Sequence, residues 1–315
     1  MRSTLRIHGT SVILVLLLAT ACASPAAPVA NPFAPTQPPA PTDAPATESI
    51  PTEETFIDFA NQLEDFNPTN FDHPTQIDNP WLPMQPGARL VLEGITEEAG
   101  KQIPHRIVFT VTDLTKVING VDTTVAYIVD FSENQPIEKE IAFYAQDNDG
   151  NVWYLGEYPE VYEGGKLVEA PAWIAGYKGA KAGIKMKANP ETGAPSYSQG
   201  WGPAVNWTDR AQVAMLDQQT CVPADCYDGV LVAEEFSKEE PGAFQLKYYA
   251  PGVGNVRVGW RGADATRETL KLVEYEMLNP EALTQVRQEV LEIEQRAYQI
   301  SKEVYDQTLP AQARE

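Results

Sequence analysis

Between Gly87 and Met277 apolar and polar residues alternate in short runs. Five such runs are 89-RLVLEG-94, 106-RIVFTVTDL-114, 123-TTVAYIVDF-131, 140-EIAFYAQ-146 and 152-VWYLGEY-158. Period-two alternation rich in Val, Ile, Phe and Tyr predicts half-buried strands. Asn119-Gly120, Asp149-Gly150-Asn151 and Gly164-Gly165 carry the residues that tight turns demand. A second set follows: 196-SYSQGW-201, 211-AQVAMLDQQ-219, 229-GVLVAEEF-236, 244-FQLKYYA-250, 255-NVRVGW-260 and 268-ETLKLVEYEM-277.

The two sets resemble each other. PGARLVLEG opens the first and TGAPSYSQGW the second, and 143-FYAQDNDGNVWYLGEY-158 corresponds to 248-YYAPGVGNVRVGW-260. Gly87 lies 57 residues before Tyr144, and Gly193 lies 56 before Tyr249. We therefore expect a diverged duplication within residues 53–278, with halves at about 87–165 and 190–277. Neither half seals its own apolar face, and pairing buries both. The expected fold class is mainly β, with antiparallel sheets from two similar meanders forming a sandwich or half-barrel.

Helical periodicity flanks this region. Phe56, Phe59, Ala60, Leu63 and Phe66 predict a short N-terminal helix with an aromatic face. Asn279, Pro280 and Glu281 form a helix start. Leu283, Val286, Val290, Ile293, Ala297, Ile300 and Val304 then recur at spacings of three and four, a heptad stripe within residues 279–315. Such a stripe either docks on its own sheet or, over 279–306, pairs with another copy or a partner.

The N-terminus changes the picture of where this domain resides. Arg2 and Arg6 precede the apolar run Val12–Leu18, which is too short to span a bilayer and suits a signal peptide over residues 1–21. Ala19, Thr20 and Ala21 lead to Cys22, as in a bacterial lipoprotein signal, although Leu18 stands one place early. Cys22 is thus the expected lipidation site, and the expected location is the extracytoplasmic side of the cell envelope. Residues 22–52 are rich in Pro, Ala and Thr and form an expected tether, reaching at most ~90 Å at ~3.1 Å per residue.

Loss of residues 1–21 lowers the 23 basic residues to 21 against 44 acids, a net charge of −23. That surface offers nucleic acid no footprint. Of three cysteines, Cys221 and Cys226 remain, and outside the cytoplasm a disulfide is expected.

Candidate chemistry is sparse. Asp72, His73 and Asp78 cluster in 66-FNPTNFDHPTQIDNPWLPMQPGARLVLEG-94, but the surrounding prolines and Asx residues point to a stiff segment that satisfies its own backbone. No GxSxG elbow or HExxH pair is present, so neither a metal nor a cofactor is expected. The loop 147-DNDGN-151 lacks the outer ligands of a calcium loop and reads as a hairpin turn. Glu157 with Glu160, and Glu138 with Glu140, form carboxylate pairs of the kind glycosidases use, but an acidic chain produces such pairs freely.

Lys178, Lys181, Lys185 and Lys187 form a basic island, expected to be a solvated face that pairs with nearby acids. Trp173, Tyr177, Trp201 and Trp207 sit in Gly-rich loops and, with Lys178 and Lys181, make the candidate binding surface for a glycan or small molecule.

HPTQIDNPWLP with MQPGARLVLEG, FYAQDNDGNVWYLGE and KYYAPGVGNVRV resemble an uncharacterised family of bacterial secreted proteins and lipoproteins. The likeness runs from about Phe71 to Tyr275 and implies a mostly antiparallel β domain of unknown function, with no catalytic residues to carry over. The expected function is a lipid-anchored envelope protein with a non-catalytic binding or scaffolding role. The alternative is a secreted glycan-acting hydrolase using acids such as Glu157 beside the aromatic loops.

Overall fold

The computed structural model describes residues 58–314. The expected signal peptide, Cys22, the tether and residues 53–57 lie outside the described residues. One antiparallel sheet dominates. It begins with a meander of β1 (Ala88–Glu98), β2 (Lys101–Ile118), β3 (Val121–Ser132), β4 (Gln135–Gln146) and β5 (Val152–Glu163). Ala99-Gly100, Asn119-Gly120 and Glu133-Asn134 join the first four strands, each with both residues at positive φ. That geometry matches the strand twist. β6 (Lys166–Glu169) and β7 (Trp173–Ile174) pair with β5, and β8 (Lys181–Met186) continues the sheet beyond it.

After β9 (Tyr197–Ser198) and β10 (Gly200–Trp201), a second meander runs through β11 (Arg210–Cys221), β12 (Cys226–Phe236), β13 (Ala243–Ala250), β14 (Gly254–Gly262) and β15 (Thr269–Met277). β1 pairs with β15, so the two meanders share an edge. At the far ends, β9 pairs with β11 while β10, two residues on, pairs with β8. One extended segment thus bridges both outer edges. The sheet becomes a nearly closed barrel, although among the described residues β9 meets only Arg210 and Ala211 of β11 and the rest of that strand's outer edge has no strand partner. The closure is tight: a Cβ on Gly183 would fall 2.2 Å from the backbone nitrogen of Gly200, so a side chain there would part the strands.

Cross-strand registers define two faces, because partners and alternate residues point the same way. On the outer face of the first meander, Val125, Tyr127, Val129, Ile141, Phe143, Trp153, Leu155 and Tyr158 form an apolar cluster. The helix α1 (Pro280–Ile300) covers it with Val290, Ile293 and Ala297. Asn279 caps this helix, its side-chain oxygen accepting the Ala282 N–H at 2.9 Å, and Pro280 follows at the first helical position. The central residues of the heptad stripe therefore dock on the chain's own sheet.

Polar clamps fix the helix. Arg287 pairs with Asp113, and Arg296 grips Glu160 through two contacts of 2.8 Å. After the short α2 (Lys302–Tyr305), the chain returns to lay β16 (Gln312–Ala313) against β2.

The expected N-terminal helix is not formed over its described part. Residues 59–61 make a turn, and 63–67 run without helical structure. The aromatic residues find their partners directly. Phe59 packs edge-on against Phe236 at 6.3 Å, and Phe66 packs against Phe71 and Trp153. Arg210 binds the Gln62 carbonyl at 2.6 Å and Glu64 accepts the Ser198 N–H at 3.2 Å, so long-range contacts replace a helical ladder.

Candidate functional site

The face opposite α1 points into the barrel. Its register can be followed around the sheet: Asp130 lies opposite Ile107, Ile107 opposite Leu92, Leu92 opposite Leu272, and Val258 opposite both Leu270 and Lys247. Lys247 is opposite Ala233, which shares its face with Glu235. Leu90, Leu92, Val256, Val258, Leu270 and Leu272 give this inner wall one apolar sector. The rest is charged. Among the described residues, Asp130, Glu138, Glu140, Glu157, Glu235 and Glu268 face inward with His105, Lys185 and Lys247, so the named acids outnumber the named bases.

On the first wall, Tyr154 Oη lies 3.0 Å from Glu140 Oε1 and also contacts Glu157 Oε2. A phenol has one hydrogen. It can donate to one carboxylate, so the other carboxyl must be protonated and donate to the phenol oxygen for both contacts to be hydrogen bonds. The surroundings favour this. Burial, then the Glu157 charge, raises Glu140 well above the usual carboxylate range, and burial pushes Glu157 up to about 7. Among the described residues, neither carboxylate has a lysine, arginine or histidine in salt-bridge contact. Aromatic rings surround the pair: Tyr144 stacks on Tyr154 at 4.7 Å, and Trp173 and Trp207 stand edge-on to Tyr154 at 5.4 and 5.5 Å.

The opposing wall is compensated. Lys185 and Lys247 reach Glu235 at 2.7 and 2.9 Å, and Gln199, in the bridging segment between β9 and β10, donates to it at 2.8 Å. Burial alone would raise Glu235, but the two lysines outweigh it and hold the carboxyl well below its usual range. Its charge reaches across the lumen. Tyr144 is raised by burial first, then by Glu140 and Glu157, and also by Glu235.

Further along, His105 Nε2 lies 2.9 Å from Glu268 and 3.2 Å from Asp130. Burial opposes the charged imidazole, yet the two acids raise its pKa. Gln245 donates to Glu268, while its buried Oε1, 5 % exposed as a residue, accepts no hydrogen bond among the described residues.

Of the residues expected to form a binding surface, Trp173, Tyr177 and Lys178 border one small cavity together with Gly202 and Val304, while Lys181, Trp201 and Trp207 lie outside its lining. Trp173 and Trp207 pack on each other at 4.7 Å above Tyr154. Tyr177 donates to the Gln307 carbonyl at 2.8 Å and Lys178 pairs with Glu303, so both hold the C-terminal arm. Lys181 is exposed and lies opposite Trp201 in the β8–β10 pair. Within the basic island, Lys185 turns inward to Glu235 and Lys187 lies over the Tyr197 ring at 4.7 Å. Cys221 and Cys226 are joined by a disulfide at the end of the β11–β12 hairpin.

The Asp72–Asp78 segment laces the chain to the β4–β5 turn. Asn79 Oδ1 accepts the N–H groups of Trp81 and Leu82, Gln146 Oε1 accepts those of Asp78 and Asn79, and His73 is exposed. In that turn Asp147 accepts the N–H groups of Asp149 and Asn151 and the Trp153 indole, so its oxygens serve the hairpin.

Of the carboxylate pairs suggested by sequence spacing, Glu138 and Glu140 share the inner face and the Glu138 charge acts on Glu140, whereas Glu157 and Glu160 part. Glu140 meets Glu157 through the Tyr154 hydroxyl, while Glu160 faces outward to Arg296. Sequence reasoning missed His105, Asp130, Glu235 and Glu268. A signal was present, because acids in otherwise apolar runs, such as VLVAEEF, must be buried with partners or for a purpose.

No family model matches the chain, and no curated protein matches it. Three solved structures are similar. A protein from Bacteroides fragilis, described as exported and with a YmcC-like fold, is 13% identical with a TM-score of 0.39, over 63% of this chain and 99% of that one. A protein from Parabacteroides distasonis, described as a lipoprotein, is 12% identical with a TM-score of 0.35, over 63% and 99%. A β-barrel-like protein of domain of unknown function DUF1849 from Brucella abortus is 12% identical with a TM-score of 0.37, over 61% and 98%.

Proposed function

We propose that this chain is a lipid-anchored envelope protein that binds a small polar ligand inside its barrel without transforming it. The observation that carries this reading is the inner wall. A barrel of about eight strands is filled by its own side chains, whereas this circuit comprises β1–β5, β8, β11–β15 and the bridging segment. A wall built only for stability would be apolar, because buried charges cost more than well-packed hydrocarbon. Retention of six inward acids is better explained by a ligand.

The sequence supports an anchor at Cys22 and a tether over 22–52 that would hold the barrel clear of the membrane. A duplication is supported by the similar runs 143–158 and 248–260, which lie on the β4–β5 and β13–β14 hairpins.

Hydrolysis is the weaker reading. Glu140 and Glu157 are close enough for glycosidase work, but the Tyr154 hydroxyl lies between them, where a scissile bond would have to sit. Metabolic labelling with a fatty-acid probe tests the anchor: label is expected on the wild type and absent from Cys22→Ser, and equal labelling would overturn it. A screen of glycans, amines and small metabolites against the purified chain, read by thermal shift, tests the binding role. A turnover product in that screen would overturn the non-catalytic reading.

A further inference from the structure

We propose that the inner wall formed by Glu140, Glu157 and their aromatic neighbours receives an organic cation, an amine bearing several N–H donors. This rests on the reading of the barrel interior as a binding site. The two inward walls differ in what they lack. Glu235 already has Lys185, Lys247 and Gln199. Glu140 and Glu157 have one phenol between them, too few donors for two carboxyl groups, and among the described residues no basic side chain in contact. An ammonium group supplies the missing charge and up to three donors.

A second, independent feature of the inner face makes the same demand. Gln245 Oε1 is buried without a donor among the described residues, and its own amide N–H is committed to Glu268. Unmet acceptors at two places along the lumen call for N–H groups at two places, as in a linear polyamine. The rings of Tyr144, Tyr154, Trp173 and Trp207 border the acid pair, and aromatic faces attract cations once water is excluded. An anionic ligand would meet six acids, and a neutral sugar would leave the acid pair uncompensated.

Titration of spermidine into the purified full chain, followed by tryptophan fluorescence and calorimetry, tests this, with maltose as the neutral comparison. Saturable spermidine binding is expected, weaker by at least ~30-fold in the Glu140→Gln/Glu157→Gln double variant because two charged contacts are lost. The isosteric amides keep the fold, and a ligand-free Tm at or above that of the wild type verifies this.

A second measurement needs no variant. Binding should tighten about three- to tenfold from pH 6 to pH 8 as the carboxyl pair surrenders its shared proton, since an opposite charge favours the ionised form. Among the described residues, the groups facing that pair are Glu138, Asp209, Tyr144 and Tyr154, and Glu235 acts on Tyr144 from across the interior. Equal affinity in the double variant, or tighter binding at pH 6, overturns the proposal. Maltose binding without spermidine binding overturns the amine while the interior site stands. Silence from both probes also overturns the amine and leaves the interior site to the wider screen.

Discussion

Two buried carboxylate sites on opposite faces of the same sheet behave differently. Outside, beneath the C-terminal arm, Lys116 Nζ meets Glu294 at 2.7 Å, the Tyr298 hydroxyl at 3.1 Å and the Leu309 carbonyl at 2.6 Å, and the Ala311 N–H reaches both Glu294 oxygens at 3.1 Å. Every charge has its counter-charge and its donors. Inside, Glu140 and Glu157 share one hydroxyl. The outer site stitches helix, arm and strand into one unit, and its groups have nothing left to offer a ligand. The inner site is under-supplied, so it carries a cost in the free protein that a bound cation would relieve. Burial alone does not separate a staple from a receptor. The separating quantity is the count of donors against acceptors.

The largest expected effect comes from breaking the staple. Lys116→Met should destabilise the fold by about 3–5 kcal/mol, because Glu294 is left charged and buried. Urea denaturation reads this directly, and adding Glu294→Leu should recover much of the loss. A change within 0.5 kcal/mol would show that the outer site is not the staple described.

The inner site should respond with the opposite sign. Folding raises Glu157 from 4.5 to about 7, so between those values the folded chain binds more protons than the unfolded one. This contribution favours the fold at low pH and is lost as pH climbs through 7. Asp130, pushed up to about 8 mainly by burial, acts in the same direction. Chemical denaturation at pH 5.5 and pH 8 should therefore give a steeper decline for wild type than for the Glu140→Gln/Glu157→Gln variant. Parallel profiles would deny the pair its shared proton.

Two smaller effects sharpen the contrast by touching neither site. The Cys221–Cys226 disulfide closes only a short loop, so reducing it should cost about 2 kcal/mol, read as a shift in the urea midpoint. Asn279→Ala removes the cap of α1 and should cost about 1 kcal/mol by thermal unfolding. Neither should alter spermidine affinity; a tenfold change from either would tie the outer layer to the lumen.

Local chemistry made much of the fold legible. Asn119-Gly120 announces its turn because both residues tolerate positive φ, and Asn279-Pro280 announces its helix because cap and first turn are specified side by side. Ala99-Gly100 and Glu133-Asn134 turn the same way without the usual first residue, since strand pairing on both sides imposes the geometry. The aromatic spacing from Phe56 to Phe66 mimicked a helix, but over the described part tertiary partners claimed the Phe59 and Phe66 rings and the Gln62 carbonyl.

For the candidate site the division is sharper. Sequence alone established the strands, their two-sided alternation, the C-terminal helix, the cysteine pair and an acidic balance, all properties of neighbours within a few residues. Only the tertiary structure decided that the stripe of α1 docks on its own sheet and that Tyr197–Trp201 brings the two meanders edge to edge. It also brought Glu140 to Glu157 from neighbouring strands and Glu235 into range of Tyr144. Those meetings depend on strand register and on which edge meets which. A carboxylate does not encode in its own neighbourhood whether a lysine from across the barrel will reach it.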